Sequence, residues 1–350
     1  MKSELIIINK PQFGYHTDTY YYCKYLKKYI ISYISFDEGL PRQNLNNVQT
    51  IEVSNATNLF FRAYRYFKVI IQYCNSNPNS TVFLVNFNFC FLLTFFIVNK
   101  NLILDIRTSS VSKNILKRLY ENLLTRINLL FFSKISIISE GLAKKFQLKN
   151  YFILPLGADY ISKSKKTYNK FKLLYVGTFN SREIEKTVKS IYLFYKKHPD
   201  VRLKYDIVGY GDNNEVNKIN EEINKYNLQN DVFLHGRKTL SELKTFFDKC
   251  NIGISYIPID DYFNFQPPTK TYEYLLSGLF CIATSTLANK EIINSNNGIL
   301  ISDNSESMCE ALIKLYKIRK NIFSSEISKS VSNSNWNFIV NNHLKKVIDA

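Results

Sequence analysis

The sequence predicts an α/β protein with two doubly wound parallel sheets. Three observations lead there. Short apolar runs alternate with amphipathic helical segments along the whole chain. Its 350 residues exceed what one hydrophobic core usually holds. A polar, lysine-rich stretch at 162–170 separates two such α/β sets and reads as a linker.

In the first set, residues 5–9 form a β-branched run that ends at a loop holding Pro11 and Gly14. Residues 19–33 read as a helix and 30–36 as the next strand, with an uncertain border. Residues 57–75 read as a basic amphipathic helix carrying Arg62, Arg65 and Lys68. Strand 82–87, helix 89–98, strand 101–106, helix 113–132, strand 135–139, helix 140–146 and strand 151–155 follow. The second set opens with strand 171–176. Helix 183–197, strand 203–208, helix 214–226, strand 232–235, helix 241–249 and strand 252–256 come next. A helix beginning at Pro267-Pro268 and stopping at Gly278 feeds strand 280–284, and 305–320 is again helical. Residues 332–350, with the lone Trp336, read as one terminal amphipathic helix.

Composition narrows the class. Hydrophobic residues at 45% and aromatics at 15% argue against disorder. The net charge of +17 is concentrated at the front: residues 1–150 carry 19 Lys and Arg against 8 Asp and Glu, residues 151–350 carry 27 against 21. Such a field favours an anionic partner. It carries no nucleic-acid motif, so membrane surface or lipid phosphate ranks ahead of nucleic acid. Six scattered cysteines without a Cys-x-x-Cys pair, and four His, argue against structural zinc and for a reducing compartment. No signal-peptide pattern is read at the N-terminus. The apolar stretch 82–98 holds Asn86 and Asn88 and is short for a membrane span, so a strand running into a helix explains it better.

The most specific local pattern is Pro267-Pro268-Thr269-Lys270-Thr271-Tyr272-Glu273-Tyr274-Leu275-Leu276-Ser277-Gly278. Lys270 and Glu273 are three apart and share one helix face. A cation and a carboxylate near the positive end of a helix suit a ligand with phosphates and vicinal hydroxyls, as a nucleotide-sugar has. A plain i,i+3 ion pair on an amphipathic helix is the alternative. Strand 172–176 runs into Gly177-Thr178, where glycine lets backbone approach a phosphate, with Arg182 at the end of the loop. Asp206-Ile207-Val208-Gly209-Tyr210-Gly211 lacks the third glycine of a dinucleotide fingerprint.

This signature helix resembles the donor site of family 4 glycosyltransferases, retaining enzymes of the GT-B fold. Colinear likenesses run through Gly14, Ile137–Leu142, Leu154–Asp159, Gly177, Gly209 and the strand 232–237. The resemblance implies two Rossmann-like domains facing across a cleft, with a C-terminal helix crossing back. Residues 1–163 with 333–350 would form the acceptor-binding domain, and 164–332 the donor-binding domain. Glu273 would hold the ribose. Arg182 and Lys270 would neutralise the donor diphosphate with backbone around Gly14 and Gly177, while Thr178, Gly209, Arg237 and Thr269 would line the donor site. Arg107 stands where many relatives carry a His at the reaction centre, and Asp105 would hold it; His16, Asp18 and Asp105 are acceptor candidates. Two places depart from the pattern. Phe265 stands where the first Glu of Glu-x7-Glu falls, with Gln266 or Asp260-Asp261 as substitutes, and Thr178 replaces a common second basic residue.

The activity implied is transfer of a hexose-type sugar from a UDP- or GDP-sugar to an acceptor hydroxyl, in surface polysaccharide or lipid-linked oligosaccharide synthesis. No cofactor and no metal are expected. The expected partners are a nucleotide-sugar, a glycan or lipid-linked acceptor, and an anionic membrane surface met by Lys24, Lys27, Lys28, Arg62, Arg65, Lys68, Lys113, Lys117 and Arg118. The expected location is cytoplasmic, peripheral on the inner face of the membrane. A non-catalytic GT-B subunit that binds a partner glycosyltransferase is the alternative, and a sugar-nucleotide epimerase a weaker one.

Overall fold

A computed structural model describes residues 4–54, 58–99, 101–110, 112, 114–260, 263–265 and 267–350. Lys113, Asp261 and Gln266 lie outside the described residues. The chain divides into two compact units, Met1–Leu156 with Trp336–Ala350, and Gly157–Asn335.

The first unit is built on seven parallel strands: β1 (Glu4–Ile8), β2 (Ile30–Phe36), β3 (Val48–Val53), β4 (Thr81–Val85), β5 (Leu102–Ile106), β6 (Lys134–Ile137) and β7 (Phe152–Ile153). Their order is β3-β2-β1-β4-β5-β6-β7, so the winding direction reverses between β1 and β4. Helices α1 (Thr17–Tyr25), α2 (Leu59–Ser76), α3 (Leu93–Phe96), α4 (Ile115–Phe131) and α5 (Glu140–Phe146) make the crossovers that parallel strands require. Side chains of His16, Asn58, Asn114 and Ser139 cap α1, α2, α4 and α5, accepting from backbone N–H groups of the first turn.

The second unit has six parallel strands: β8 (Lys172–Thr178), β9 (Lys204–Tyr210), β10 (Val232–Leu234), β11 (Ile252–Ser255), β12 (Phe280–Thr284) and β13 (Gly298–Ile301). The order β10-β9-β8-β11-β12-β13 places the reversal between β8 and β11. Around it lie α6 (Glu185–Lys197), α7 (Asn213–Lys225), α8 (Leu240–Lys249), α9 (Thr269–Leu276), α10 (Leu287–Ile292), α11 (Ser305–Ile318) and α12 (Ser324–Ser330). Thr239 and Glu242 close a reciprocal capping box on α8. Every residue of β11 and β12 is buried, as strands covered on both faces must be, and their Ile, Ala and Cys side chains fit that setting.

Several elements differ from the sequence reading. The helix expected over 19–33 stops at Tyr25, because Ile30–Phe36 is claimed by strand β2 between β1 and β3. Edge strand β3, helices α10 and α12 and strand β13 carry weak local patterns and were not anticipated. Residues 89–98 form only two short turns (Cys90–Leu92 and α3), entered through Phe89 at φ 66°. The terminal segment is not one regular helix. A 3₁₀ turn at Ser332–Ser334 precedes α13 (Trp336–Ile339), a π-turn at Val340–Leu344 and α14 (Lys345–Asp349). The lysine-rich stretch 162–170 belongs to the second unit and is folded onto it. Lys166 Nζ donates to Ser164 Oγ (2.6 Å) and to the Asp248 carbonyl (3.1 Å).

All six cysteines are free and buried and act as small core residues. Among the described residues no helix is long and apolar enough to cross a membrane. The terminal segment is tied to the first unit by Trp336. Its fully buried ring stacks on Tyr21 (5.5 Å between centroids) and meets Tyr22 edge-on (5.7 Å). Tyr29 Oη donates to Asp349 Oδ1 (3.0 Å) further along. Trp336→Ala should therefore cost about 3–5 kcal/mol of the first unit's stability. A urea-unfolding midpoint that moves by less than a third of that would show the terminal segment is not part of this core.

Candidate functional site

The carboxyl ends of the strands at each reversal point are where an open parallel sheet offers a crevice for ligands. In the second unit that place is the end of β8, at Gly177 and Thr178, with the helix α9 that follows β11. Four contacts fix α9 there. The Val176 N–H donates to Tyr274 Oη (2.7 Å), so a β8 backbone group beyond its β11 pairing is taken up by a side chain of α9. Gly253 of β11 makes room for Tyr274, since any Cβ there would collide with the tyrosine ring. Buried Thr271 shares a hydrogen bond with Ser255 (2.7 Å) at the end of β11 and donates to Asn289 Oδ1 (3.1 Å) of α10.

This docking brings Lys270 against Gly177, with Glu273 one turn further along the same helix. A Cβ on Gly177, whose φ is 151°, would sit 3.3 Å from Lys270 Nζ. The ammonium also lies 4.1 Å from the centroid of the buried Tyr175 ring. Tyr175 Oη donates to the Thr178 carbonyl (2.7 Å) and so shapes the turn. Both charged side chains are half-buried. Burial, reinforced by the nearby Arg182 charge, pulls the Lys270 pKa down to about 7. Burial pushes Glu273 up to about 7 against the favourable field of Lys270. The expected alternative, a plain ion pair, is absent: among the described residues neither side chain makes a hydrogen bond or a salt bridge.

Arg182 stands between two residues of positive φ, Ser181 (59°) and Glu183 (51°), and its guanidinium lies 4.0 Å from the centre of the Phe263 ring. Thr178 is exposed at the strand end, and Thr269 opens α9, whose preceding Pro268 supplies no side-chain cap. Gly209 sits directly beside Gly177 in the β8–β9 ladder, and a Cβ there would strike the Gly177 carbonyl oxygen. Its glycine is explained by close packing under the loop. Arg237 is exposed and stacks on Tyr210 (4.9 Å) at the end of β9. Phe265, in the place of the missing carboxylate, is half-buried. Tyr175 and Gly253 are site-building residues that sequence reasoning passed over, and Tyr274, quoted within the signature, gains its packing role only here. Their signal was only a buried aromatic or a strand glycine, and its meaning depends on the partner across the sheet.

In the first unit, Gly14 has φ 95°, and a side chain there would collide with Gln43. His16 is half-buried. Its Nδ1 lies 3.2 Å from Thr19 Oγ1, and burial lowers its pKa. Arg107, Asp18 and Asp105 come together, but not as expected. Arg107 is held mainly by Asp18, with Nε donating to Oδ2 at 2.7 Å and Nη2 at 2.6 Å from the same oxygen. Nη1 donates to the Leu154 carbonyl (2.7 Å). Asp105 is looser, 3.8 Å from Nε, and accepts from Ser136 Oγ (2.7 Å). The guanidinium thus links the start of α1, the end of β5 and the segment after β7.

Complete burial raises the Asp105 pKa to about 6 despite Arg107 and Ser136. A raised folded-state pKa contributes stability below about pH 4, and that contribution is lost as pH rises through about 6. Asp105→Asn should accordingly gain on the wild type between pH 4 and pH 7, by up to about 3 kcal/mol. Parallel urea-unfolding curves at the two pH values check this, and a constant difference would refute it.

Residues 170–317 match the model of a family described as Glycosyl transferases group 1. No curated protein matches the chain at the level of sequence. Solved structures resemble it over its full length. A sucrose-phosphate synthase from Thermosynechococcus elongatus superposes with a TM-score of 0.75 at 13% identity, covering 99% of this chain and 98% of that one. HepE of Anabaena, in complex with UDP and glucose, gives 0.74 at 10% identity over 99% and 100%. A lipopolysaccharide outer core galactosyltransferase, WaaB, gives 0.71 at 12% identity over 99% of both chains. At these identities the likeness establishes the fold, two Rossmann-like units of the GT-B type, and the matched domain establishes the chemistry class. Over residues 170–317 the chain is similar to the group 1 glycosyl transferases, its fold is of the GT-B type, and it is a glycosyltransferase enzyme.

Proposed function

We propose that the enzyme is a retaining, family 4-type glycosyltransferase that moves a hexose from a UDP- or GDP-sugar to an acceptor hydroxyl in surface polysaccharide or lipid-linked oligosaccharide synthesis. The observation that carries this reading is the pair Lys270 and Glu273, half-buried and without an ion pair or hydrogen bond among the described residues, with Lys270 Nζ against the Gly177 turn. Glu273 accepts the vicinal ribose hydroxyls. Lys270 and Arg182 take the charge of the departing diphosphate, helped by the backbone at Gly177, with Thr178, Thr269 and Arg237 at the margin of the nucleotide. Preorganised charge of this kind is usually the largest catalytic contribution, and here it stands in for a metal ion. The UDP and glucose bound to HepE support a nucleotide-sugar donor, and WaaB supports a surface-glycan acceptor. In the first unit, backbone at Gly14 approaches the donor phosphates and His16 lies on the acceptor side, while Asp18 and Asp105 set the position of Arg107.

The free enzyme needs Glu273 ionised and Lys270 protonated. The raised acid and the lowered amine therefore give kcat/KM a bell-shaped pH profile centred near 7, whose limbs belong to the coupled pair. Glu273→Gln should flatten the acid limb, and Lys270→Ala should lower kcat by about 10²–10³. UDP or GDP should raise the melting temperature of the wild type but not of Glu273→Ala. A nucleotide shift that survives in Glu273→Ala would rule out this donor site.

We also place the enzyme on an anionic membrane. Helix α4 buries Leu124, Thr125, Asn128 and Leu129, yet it leaves Leu116, Leu119, Leu123 and Leu130 55–82% exposed. Lys117, Arg118 and Arg126 flank that stripe. Vesicles containing phosphatidylglycerol should retain the protein at low salt and release it at high salt. Equal indifference to anionic and neutral vesicles at low salt would exclude this placement.

A further inference from the structure

A second feature of the first unit lies at its own reversal point. Lys10 follows β1 and Phe87 follows β4, the two strands between which the winding reverses. Between them and helix α2 runs an apolar groove of about 830 Å³, within the range of small-molecule sites. Its floor is a continuous aromatic surface. Phe36 stacks on Tyr66 (4.3 Å between centroids), and Tyr66 meets Phe87 (5.7 Å). Its rim is left bare: Leu59 and Phe60 of α2 are 78% and 76% exposed.

Two cations sit on this floor. Lys10 Nζ is 4.9 Å from the centre of Phe87, and the Arg62 guanidinium is 4.0 Å from the centre of Phe36. Neither meets a carboxylate at salt-bridge distance among the described residues, although Glu38 also lines the groove. Arg62 Nε is buried and has no hydrogen-bond partner among them. Burial lowers the Lys10 pKa, and the charge of Arg62 lowers it further, so the two cations repel. An anion between them would relieve both costs. A chain of aromatic and aliphatic contacts headed by two unpaired cations fits one ligand chemistry, a hydrocarbon tail ending in phosphate.

We propose that this groove seats the lipid of the acceptor, with the hydrocarbon chain along the aromatic floor and the proximal phosphate between Lys10 and Arg62. The proposal rests on the reading of the acceptor as lipid-linked, and it adds a specific chain site to general membrane attachment. The exposed apolar surface continues from Leu92 at the groove to Phe95 on α3, whose ring touches Phe131 of α4 (5.4 Å). A chain leaving the groove would thus pass along a surface suited to the bilayer.

The test uses the full chain and dodecyl phosphate below its micellar concentration, titrated calorimetrically beside inorganic phosphate and dodecanol. Dodecyl phosphate should bind at one site per chain and more tightly than either fragment. Arg62→Gln should weaken it about tenfold while leaving dodecanol unchanged. Phe60→Asp, at an exposed rim position, should weaken both amphiphiles about tenfold. Failure of dodecyl phosphate to bind, binding untouched by both variants, or inorganic phosphate binding as tightly would each overturn the proposal. So would retention on phosphatidylglycerol vesicles without any dodecyl phosphate binding, which would leave a membrane face only. UDP titrated into the same variants should bind as it does to wild type. Loss of UDP binding to the wild type itself would instead count against the donor reading, so the two failures are distinct.

Discussion

The hydrogen bond from the Val176 N–H to Tyr274 Oη is the contact on which the arrangement around Gly177 depends. Strand β8 pairs with β11 only at Leu173 and Leu174, so beyond that point one edge of β8 carries unpaired backbone. A buried N–H left there would cost about 1–3 kcal/mol. The tyrosine of α9 takes it up, and in doing so brings the start of the helix against the Gly177 turn. Gly253 and the network of Thr271, Ser255 and Asn289 are what allow and hold that approach. The pair Lys270 and Glu273 gains its unusual electrostatics from this position, because a helix seated more loosely would leave both groups hydrated and near their ordinary pKa values.

The first unit uses a buried charge differently. Arg107 is surrounded by two carboxylates and a carbonyl, and its donors bind elements from three parts of the chain. Removing one partner of such a buried cluster leaves an uncompensated charge, so its geometry is rigidly held. Asp105 lies farthest from the guanidinium and carries the full cost of burial, whereas Asp18 makes the close pair. The strand-end loops around Gly14 and His16 therefore start from a fixed platform.

The outer surface of the same unit is unusually apolar. Helix α4 hides Leu124, Leu129 and an asparagine, Asn128, which donates to the Asn86 side chain (2.8 Å) and the Phe87 carbonyl (2.9 Å), and four further leucines of the helix are exposed. Such an apolar surface, bordered by basic residues, is costly in water and suits a membrane interface. Under the proposed membrane placement the +17 net charge would act here, since the excess of Lys and Arg falls in the first 150 residues.

Much of this was legible in the sequence. Clear local patterns located α5, α6, α8, α9 and β12 almost to the residue, since local propensity and tertiary context agree there. The Pro-to-Gly helix with Lys270 and Glu273 and the Gly177 turn could be singled out because their residue types and spacing suit a ligand with phosphates and vicinal hydroxyls, and Arg182 through the family resemblance. The short edge strand β3, the helix α10 and the end of α1 could not, because strand pairing and packing override weak local preference. Whether Arg107 pairs with Asp18 or Asp105 was likewise hidden. The answer depends on residues 89 positions apart meeting across the sheet, against two positions along one strand. The sequence by itself determined the two α/β sets and the chemistry offered at the strand ends. Only the tertiary structure decided which charges were left without partners, because pairing is set by distances between elements that no local pattern records.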